Sequence, residues 1–375
     1  MSEPRILLAA GEASGDLHGA SLAEELRRLY PRADLFGLAG PRMAGAGVEP
    51  IVDFEKLVVM GFFEIATRLP FFFRLRRRLR RILRERPPDL VIPIDYPGFN
   101  LRLSVEAHRA GIPVLYYIAP QLWAWRSERA RTLADAVDRV AVAFPHEEPF
   151  LREFGVDAVF VGHPLLDRLD ELESREEAIS ATGADPGRPI LGLLPGSRPQ
   201  EVRRLLGPFL QVARELTRQR PDVQVLLSGA PHVPRSLYDP ARHYPLIEDS
   251  GTVLRAATAV LTKSGTTTVE AALYGVPLVI AHRVNPLTYR VARRLVRVKS
   301  VGMVNLLADE PVVPEFIQQL PVDRIAEALL PLLQAGSEAR TGMVRELDRV
   351  RERLGDPGAA RRVAELAAGL LDGNR

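Results

Sequence analysis

The sequence predicts an α/β fold: two Rossmann-like, doubly wound domains facing across a cleft. Three observations predict it. Apolar runs of strand length alternate with helix-length amphipathic stretches from one end of the chain to the other. The alternation restarts after a stretch, Leu169–Pro189, that is charged and then rich in Gly, Pro and Asp. The chain has 375 residues, 46% of them hydrophobic, which is enough to bury two separate cores.

In the first set, Ile6–Ala10, Leu90–Ile94, Val114–Ile118, Val140–Phe144 and Ala158–Val161 read as buried parallel strands. Leu17–Leu29 and Leu103–Ala110 carry helical periodicity beside them. The second set is Ile190–Leu194, Val223–Leu227, Ala259–Thr262 and Leu278–Ala281, with helices over Glu201–Gln219 and Thr267–Tyr274. The expected boundaries are 1–168 for the first domain and 186–337 for the second. The Arg-rich tail, 338–375, is expected to form helices packing on the outside. Ligands of such folds bind beyond the carboxyl ends of the strands, so the interdomain cleft is the expected active site.

Composition removes several classes of chemistry. Without cysteine there is no thiol nucleophile, disulfide or thiolate metal site. The seven histidines form no HxxxH or HxH pair, so no metal site is expected. The most apolar long stretch, Leu57–Phe73, is interrupted by Glu64 and Arg68, so no bilayer span is expected. Ile6–Ala10 is too short for a signal-peptide core, and a cytoplasmic protein is the expectation. The net charge is only +3, yet its distribution is uneven. Arg74–Arg86 holds eight arginines against Glu85 alone, and Arg283–Lys299 holds six basic residues and no acid. Both point to an anionic partner. No nucleic-acid-binding motif accompanies them, so no nucleic acid is expected.

Small residues at strand-to-helix junctions mark places where a phosphate can meet backbone N–H groups. The first is Gly11-Glu-Ala-Ser-Gly15-Asp16, which fits neither the Walker nor the dinucleotide spacing and serves equally as a tight turn. In the second, Gly196-Ser197-Arg198, Ser197 and Gln200 have capping-box spacing and Arg198 can fork two phosphate oxygens. In the third, Ser264-Gly265-Thr266 opens a helix that holds Glu270, a carboxylate able to accept from two vicinal ribose hydroxyls or simply to complement the helix dipole. Asp95 ends a buried strand, where a general base for a sugar hydroxyl belongs; His18 is the second candidate, and an Asx turn before Pro97 is the structural reading of Asp95.

Plotted as a helix, Phe71, Phe72, Leu75, Leu79, Ile82 and Leu83 share one arc of about 120° and most of the arginines oppose them. This is the pattern of a helix in a membrane interface, with Phe62, Phe63 and Phe73 as nearby wedges. The same pattern suits a helix on a protein core with a solvated basic face.

In order along the chain stand Gly11-Glu-Ala-Ser-Gly-Asp16, Met60-Gly-Phe-Phe-Glu64, Ile94-Asp-Tyr-Pro-Gly-Phe-Asn100, Pro120-Gln-Leu-Trp-Ala-Trp125 and Phe144-Pro-His-Glu147. Val161-Gly-His-Pro164, Leu194-Pro-Gly-Ser-Arg198, Ser264-Gly-Thr266 with Glu270, and Val304-Asn-Leu-Leu307 follow. The ordered set resembles the lipid-A-disaccharide synthase family over nearly the whole chain. The resemblance implies a GT-B glycosyltransferase that needs neither cofactor nor metal and works with inversion. Its donor would be UDP-2,3-diacylglucosamine, its acceptor 2,3-diacylglucosamine 1-phosphate, and its products a β-1,6-linked disaccharide 1-phosphate and UDP. By motif, Asp95 resembles the residue that activates the acceptor hydroxyl, and Arg198, Glu270 and Asn305 resemble nucleotide-side residues. The stretch after Met60 resembles a segment contacting the inner membrane, so peripheral binding to its cytoplasmic face is expected, and a homodimer is left open. A GT-B enzyme with another lipid acceptor, a UDP-sugar epimerase and a non-catalytic peripheral membrane protein are the alternatives.

Overall fold

Short runs of β-branched and leucine residues, apolar on both faces, form two all-parallel sheets with helices in every crossover. The computed structural model describes residues 3–57, 62–120, 122–125, 129–171, 173–231, 233–285, 289–290 and 300–373; the side chains of 62–69, 124–125 and 170–171 lie outside the description. The chain divides into one unit of Met1–Asp167 with Leu354–Arg375 and a second of Arg168–Arg353.

The first unit runs β1 (Arg5–Ala10), α1 (Ala13–Leu29), β2 (Asp34–Leu38), α2 (Pro41–Gly45), β3 (Glu49–Pro50), α3 (Phe62–Glu85), β4 (Leu90–Ile94) and α4 (Pro97–Arg109). It continues through β5 (Leu115–Tyr117), α5 (Leu122–Trp125), α6 (Ala130–Ala136), β6 (Arg139–Val142), α7 (Glu147–Arg152) and β7 (Ala158–Phe160). Among the described residues its sheet has the order β3-β2-β1-β4-β5-β6-β7. The chain therefore winds outward from β1 on one side and from β4 on the other. The loops leaving these two strands diverge there and open a crevice at their carboxyl ends. The final helix, Ala359–Gly373, returns to this unit and buries Val363, Ala364 and Ala367 in the cluster that holds Leu22 and Leu26 of α1. Asp167 caps that helix by accepting the N–H groups of Gly358, Ala359 and Ala360 at 2.6, 3.0 and 2.9 Å.

The second unit opens with α8 (Arg175–Thr182), started by a Ser174–Glu177 capping box. It continues through β8 (Ile190–Leu194), α9 (Pro199–Gln219), β9 (Gln224–Ser228), β10 (Leu246–Ile247), α10 (Ser250–Ala256), β11 (Ala259–Thr262), α11 (Thr266–Leu273), β12 (Leu278–His282) and β13 (Glu315–Ile317). Its sheet order among the described residues is β10-β9-β8-β11-β12-β13, which puts the reversal between β8 and β11. The helix Glu338–Arg353 belongs to this unit, so the Arg-rich tail is split between the two.

Four strands, β2, β3, β10 and β13, are additional to those expected from the sequence. Gly37 interrupts β2, β3 and β10 are two residues long, and β13 is a half-buried edge strand. The N-cap of α9 is also shifted: Arg198 takes that place, with Pro199 next, and Glu201 reaches back to the N–H groups of Ser197 and Arg198 at 3.1 and 3.2 Å.

One expectation about α3 is corrected. Leu75 and Leu79, read as membrane-contacting, are 3% and 1% exposed and pack with Leu83 in the core under the sheet. The period that aims side chains at a bilayer is the period that aims them at a protein core, and here the core takes them. Glu106, on α4, pairs with Arg76 at 2.5 Å and Arg80 at 3.0 Å, so part of the basic face is neutralised within the fold. Phe71 and Phe72 are half-buried and Phe73 is 66% exposed. Met60, the side chains of Phe62 and Phe63, and residues 291–299 of the second basic cluster lie outside the described residues.

Candidate active site

At the reversal point of the first unit, β4 delivers Asp95 and β1 delivers the Gly11 loop. Asp95 and Tyr96 stand at φ 46° and 52°, both in the left-handed region. For non-glycine residues such a turn costs of order 1–3 kcal/mol each and persists only when its surroundings hold it. They do. The Asp95 carbonyl accepts from the Tyr116 hydroxyl and the Asn100 side-chain amide, both at 2.8 Å, and its N–H donates to Tyr117 O at 2.9 Å. Asn100 also donates to Ala9 O and Ile94 O, tying the ends of β1 and β4 together. Gly11 is required here, because a Cβ would lie 2.2 Å from the Tyr96 ring.

Burial pushes the Asp95 carboxyl up to about 6; Glu12 adds to the rise and the Tyr96 backbone opposes it. A carboxylate at that value is ionised at neutral pH and is still a usable proton acceptor. Deeper lies Glu147, 2% exposed, whose oxygens accept from Trp123 Nε1 at 3.4 Å and Phe144 N at 3.3 Å. Burial, with a smaller push from Asp95, raises Glu147 to about 8, so it is chiefly protonated at neutral pH. Sequence reasoning missed Glu147, Tyr116 and Glu12 as parts of the site. Glu147 and Glu12 do stand inside two of the ordered motifs, Phe144-Pro-His-Glu147 and Gly11-Glu-Ala-Ser-Gly-Asp16, which was the signal for them.

His18 is buried on the inner face of α1, close enough to His163 to help burial hold that ring's pKa down at about 3. Gly15 faces Ala10 and the Ile94 carbonyl. The substrate reading of Asp16 is corrected: it is 3% exposed, and its carboxylate accepts the N–H groups of Gly40, Arg42 and Met43 at 2.8, 3.0 and 3.1 Å. It anchors the start of α2, where a carboxylate meets unpaired donors.

An aromatic series leaves the turn. Tyr96 neighbours Phe99 at 6.4 Å, Phe99 neighbours Phe72 at 6.1 Å, and Phe72 meets Phe71 edge-on at 5.3 Å. Phe72, Phe73, Leu79, Phe99 and Leu103 line a cavity of about 70 Å³ rimmed by Arg76, Arg102 and Glu106.

In the second unit, the loops after β8 and β11 flank the reversal point. Gly196, at φ 122°, lets Glu201 fold back under the loop, since a Cβ would lie 2.4 Å from its carboxylate. Glu201 also pairs with Lys263 at 2.8 Å, locking the two loops to each other. Ser197 and Arg198 are exposed at the start of α9, and Gly265 and Thr266 start α11. Ser264 donates to Val301 O at 2.7 Å. Burial pushes Glu270 up to about 7, with Asp249 adding to it and Arg255 opposing. Asn305 is corrected from a nucleotide contact to a brace: it is 2% exposed, exchanges hydrogen bonds with Val313 and donates to Glu315 at 2.7 Å. Glu315 in turn accepts from Val301 and Gly302 N–H, so Asn305 shapes the loop that receives Ser264. Among the described residues no group of His, Asp or Glu is arranged to hold a metal ion.

A family model described as lipid-A-disaccharide synthetase matches residues 6–365. A lipid-A-disaccharide synthase of Geobacter sulfurreducens is 44% identical over 382 residues, covering 98% of this chain and 97% of the relative. That of Geobacter metallireducens is 43% identical, covering 99% and 98%. Among solved structures, the UDP-GlcNAc 2-epimerase of Neisseria meningitidis bound to UDP-GlcNAc is similar with a TM-score of 0.65 at 12% identity, covering 98% and 100%. The calicheamicin glycosyltransferase CalG4 is similar with a TM-score of 0.61 at 20% identity, covering 99% of each chain. At such identities the two structures speak for the fold, and it is the GT-B fold.

Proposed function

The chain belongs to the lipid-A-disaccharide synthase family, glycosyltransferases that join a sugar-nucleotide donor to a glucosamine-phosphate acceptor, and from that premise we propose how its residues share the reaction. The donor is UDP-2,3-diacylglucosamine and the acceptor 2,3-diacylglucosamine 1-phosphate. Asp95 takes the proton of the acceptor 6-hydroxyl while that oxygen attacks the donor C1 from the face opposite UDP. A β-1,6 bond forms with inversion, the C1–diphosphate bond breaks, and UDP leaves. The observation that carries this reading is the Asp95–Tyr96 turn, strained and braced by Tyr116 and Asn100, which holds a carboxyl raised to about 6.

The second unit is the donor domain. Arg198 and the N-termini of α9 and α11 meet the charge that develops on the leaving diphosphate, so the step calls for no metal. Glu270 accepts from the ribose hydroxyls. In the first unit, the cavity lined by Phe72, Phe73 and Phe99 takes part of an acyl chain. The described residues contain no helix long and apolar enough to cross a membrane. Exposed Phe73 and the outer arginines of α3 give a peripheral attachment to the cytoplasmic face of the inner membrane.

The test is turnover in detergent micelles with both acylated substrates and no added metal, reading UDP release and disaccharide mass, for wild type and Asp95→Ala. Wild type forms both products; the variant binds UDP and forms neither. Disaccharide from the variant at wild-type rates moves the base to His18 or to water.

A further inference from the structure

At the other end of the second sheet, beneath the amino ends of β11 and β12, lies a cavity of about 240 Å³. Its floor is the chain leading into those strands, whereas the nucleotide-side residues follow the carboxyl ends of β8 and β11. Three guanidinium groups line it, from Arg175, Arg255 and Arg340, against one lining carboxylate, Glu173. Arg340 is half-buried and spends one nitrogen on the carbonyls of Thr258 and Leu332. Arg175 is exposed at the start of α8. Among the described residues neither has a carboxylate partner, and Arg175 bears on Arg340 strongly enough to add to the burial that lowers its pKa. Arg255 lies over the Tyr274 ring at 5.8 Å and reaches Glu173 at 3.1 Å and Asp249 at 3.6 Å. Its Nε is nevertheless buried with no acceptor among the described residues. Arg255 is thus shared by two carboxylates, whereas Arg175 and Arg340 stand near each other without one, and an anion between those two would relieve their repulsion.

We propose that this cavity is a second ligand site, for a phosphate monoester dianion held by Arg175, Arg255 and Arg340. A phosphoryl group suits it by charge and by chemistry: Arg175, Arg255 and Arg340 line one cavity, and planar guanidinium donors match phosphate oxygens. The cavity lining contains none of the residues assigned to the nucleotide, although Arg255 also acts electrostatically on Glu270 of α11, one turn before Tyr274.

Equilibrium dialysis of the full chain against radiolabelled inorganic phosphate, with and without saturating UDP, tests it. One phosphate per chain is expected to remain in the presence of UDP. Arg175→Glu, at an exposed helix-start position, should weaken phosphate binding at least about tenfold, leave UDP affinity unchanged, and be rescued by Arg175→Lys. Glycerol 3-phosphate as competitor identifies a soluble ester as the occupant. Competition only by vesicles of phosphatidic acid in phosphatidylcholine identifies a lipid headgroup. Phosphate that UDP displaces completely, or that binds Arg175→Glu as well as wild type, overturns the site.

Discussion

Asp95→Asn is expected to make the protein more stable and nearly inactive. Asparagine tolerates the left-handed backbone at this position and keeps the shape of the side chain, so the turn survives the exchange. What changes is the charge. A rise from 3.8 to about 6, at about 1.36 kcal/mol per pH unit, means that the ionised carboxylate costs the folded state about 3 kcal/mol. Because the folded-state value lies above the unfolded one, the native protein holds the extra proton between about pH 4 and 6. Stability therefore falls as pH rises through that window, and the full cost is in place above it. The variant should exceed wild type by up to about 3 kcal/mol at pH 7.5, and the gap should close toward pH 4. Urea unfolding followed by tryptophan fluorescence suits the measurement, since both tryptophans, Trp123 and Trp125, belong to the unit that holds Asp95. In the turnover assay the same variant should lose about 10²- to 10⁴-fold in kcat. Wild-type kcat/KM should rise with pH through a midpoint near 6, and that limb should be missing from the variant. Equal stability at pH 7.5, or a gap that does not narrow on acidification, refutes the burial argument; a kcat within tenfold of wild type refutes the base.

Glu270 should make UDP binding pH-dependent in the same direction: if only its ionised form accepts from ribose, calorimetric Kd should weaken about tenfold between pH 8 and pH 6, and Glu270→Gln should flatten the dependence. Arg198→Ala should weaken UDP binding by about 10- to 100-fold while leaving UMP binding nearly unchanged, because the loss is of charged hydrogen bonds to the diphosphate. On α3 the two faces should separate. Leu79→Ala should cost about 2–5 kcal/mol of stability in urea, whereas Phe73→Ser should leave stability within about 0.5 kcal/mol and reduce co-sedimentation with anionic vesicles.

The alternation of buried strands with amphipathic helices was legible without coordinates, because a strand covered on both faces must be apolar at every position, as β4 and β8 are. So was the place of Asp95, a lone acid closing such a strand, and so was that of Arg198, two residues after Gly196 at a helix start. The ordered motifs carried the family, which the matched relatives bear out. Short or interrupted strands were not legible: β3 and β10 exist because a neighbouring strand offers them hydrogen bonds, and two residues carry no period. Nor could periodicity say what lies under α3, since a core and a bilayer ask for the same stripe; only the packed neighbours of Leu75 and Leu79 decide it. Polar residues divided the same way. Asp16, Asn305 and Asp95 are alike in a sequence, and what separates them is whether tertiary partners consume their hydrogen-bonding groups. Three backbone donors fill the Asp16 carboxylate and Val313 and Glu315 fill the Asn305 amide, whereas Tyr116 and Asn100 grip only the backbone of Asp95. Sequence fixes which groups a residue owns; distances of a few ångströms between elements far apart in the chain fix which of those groups are already spent.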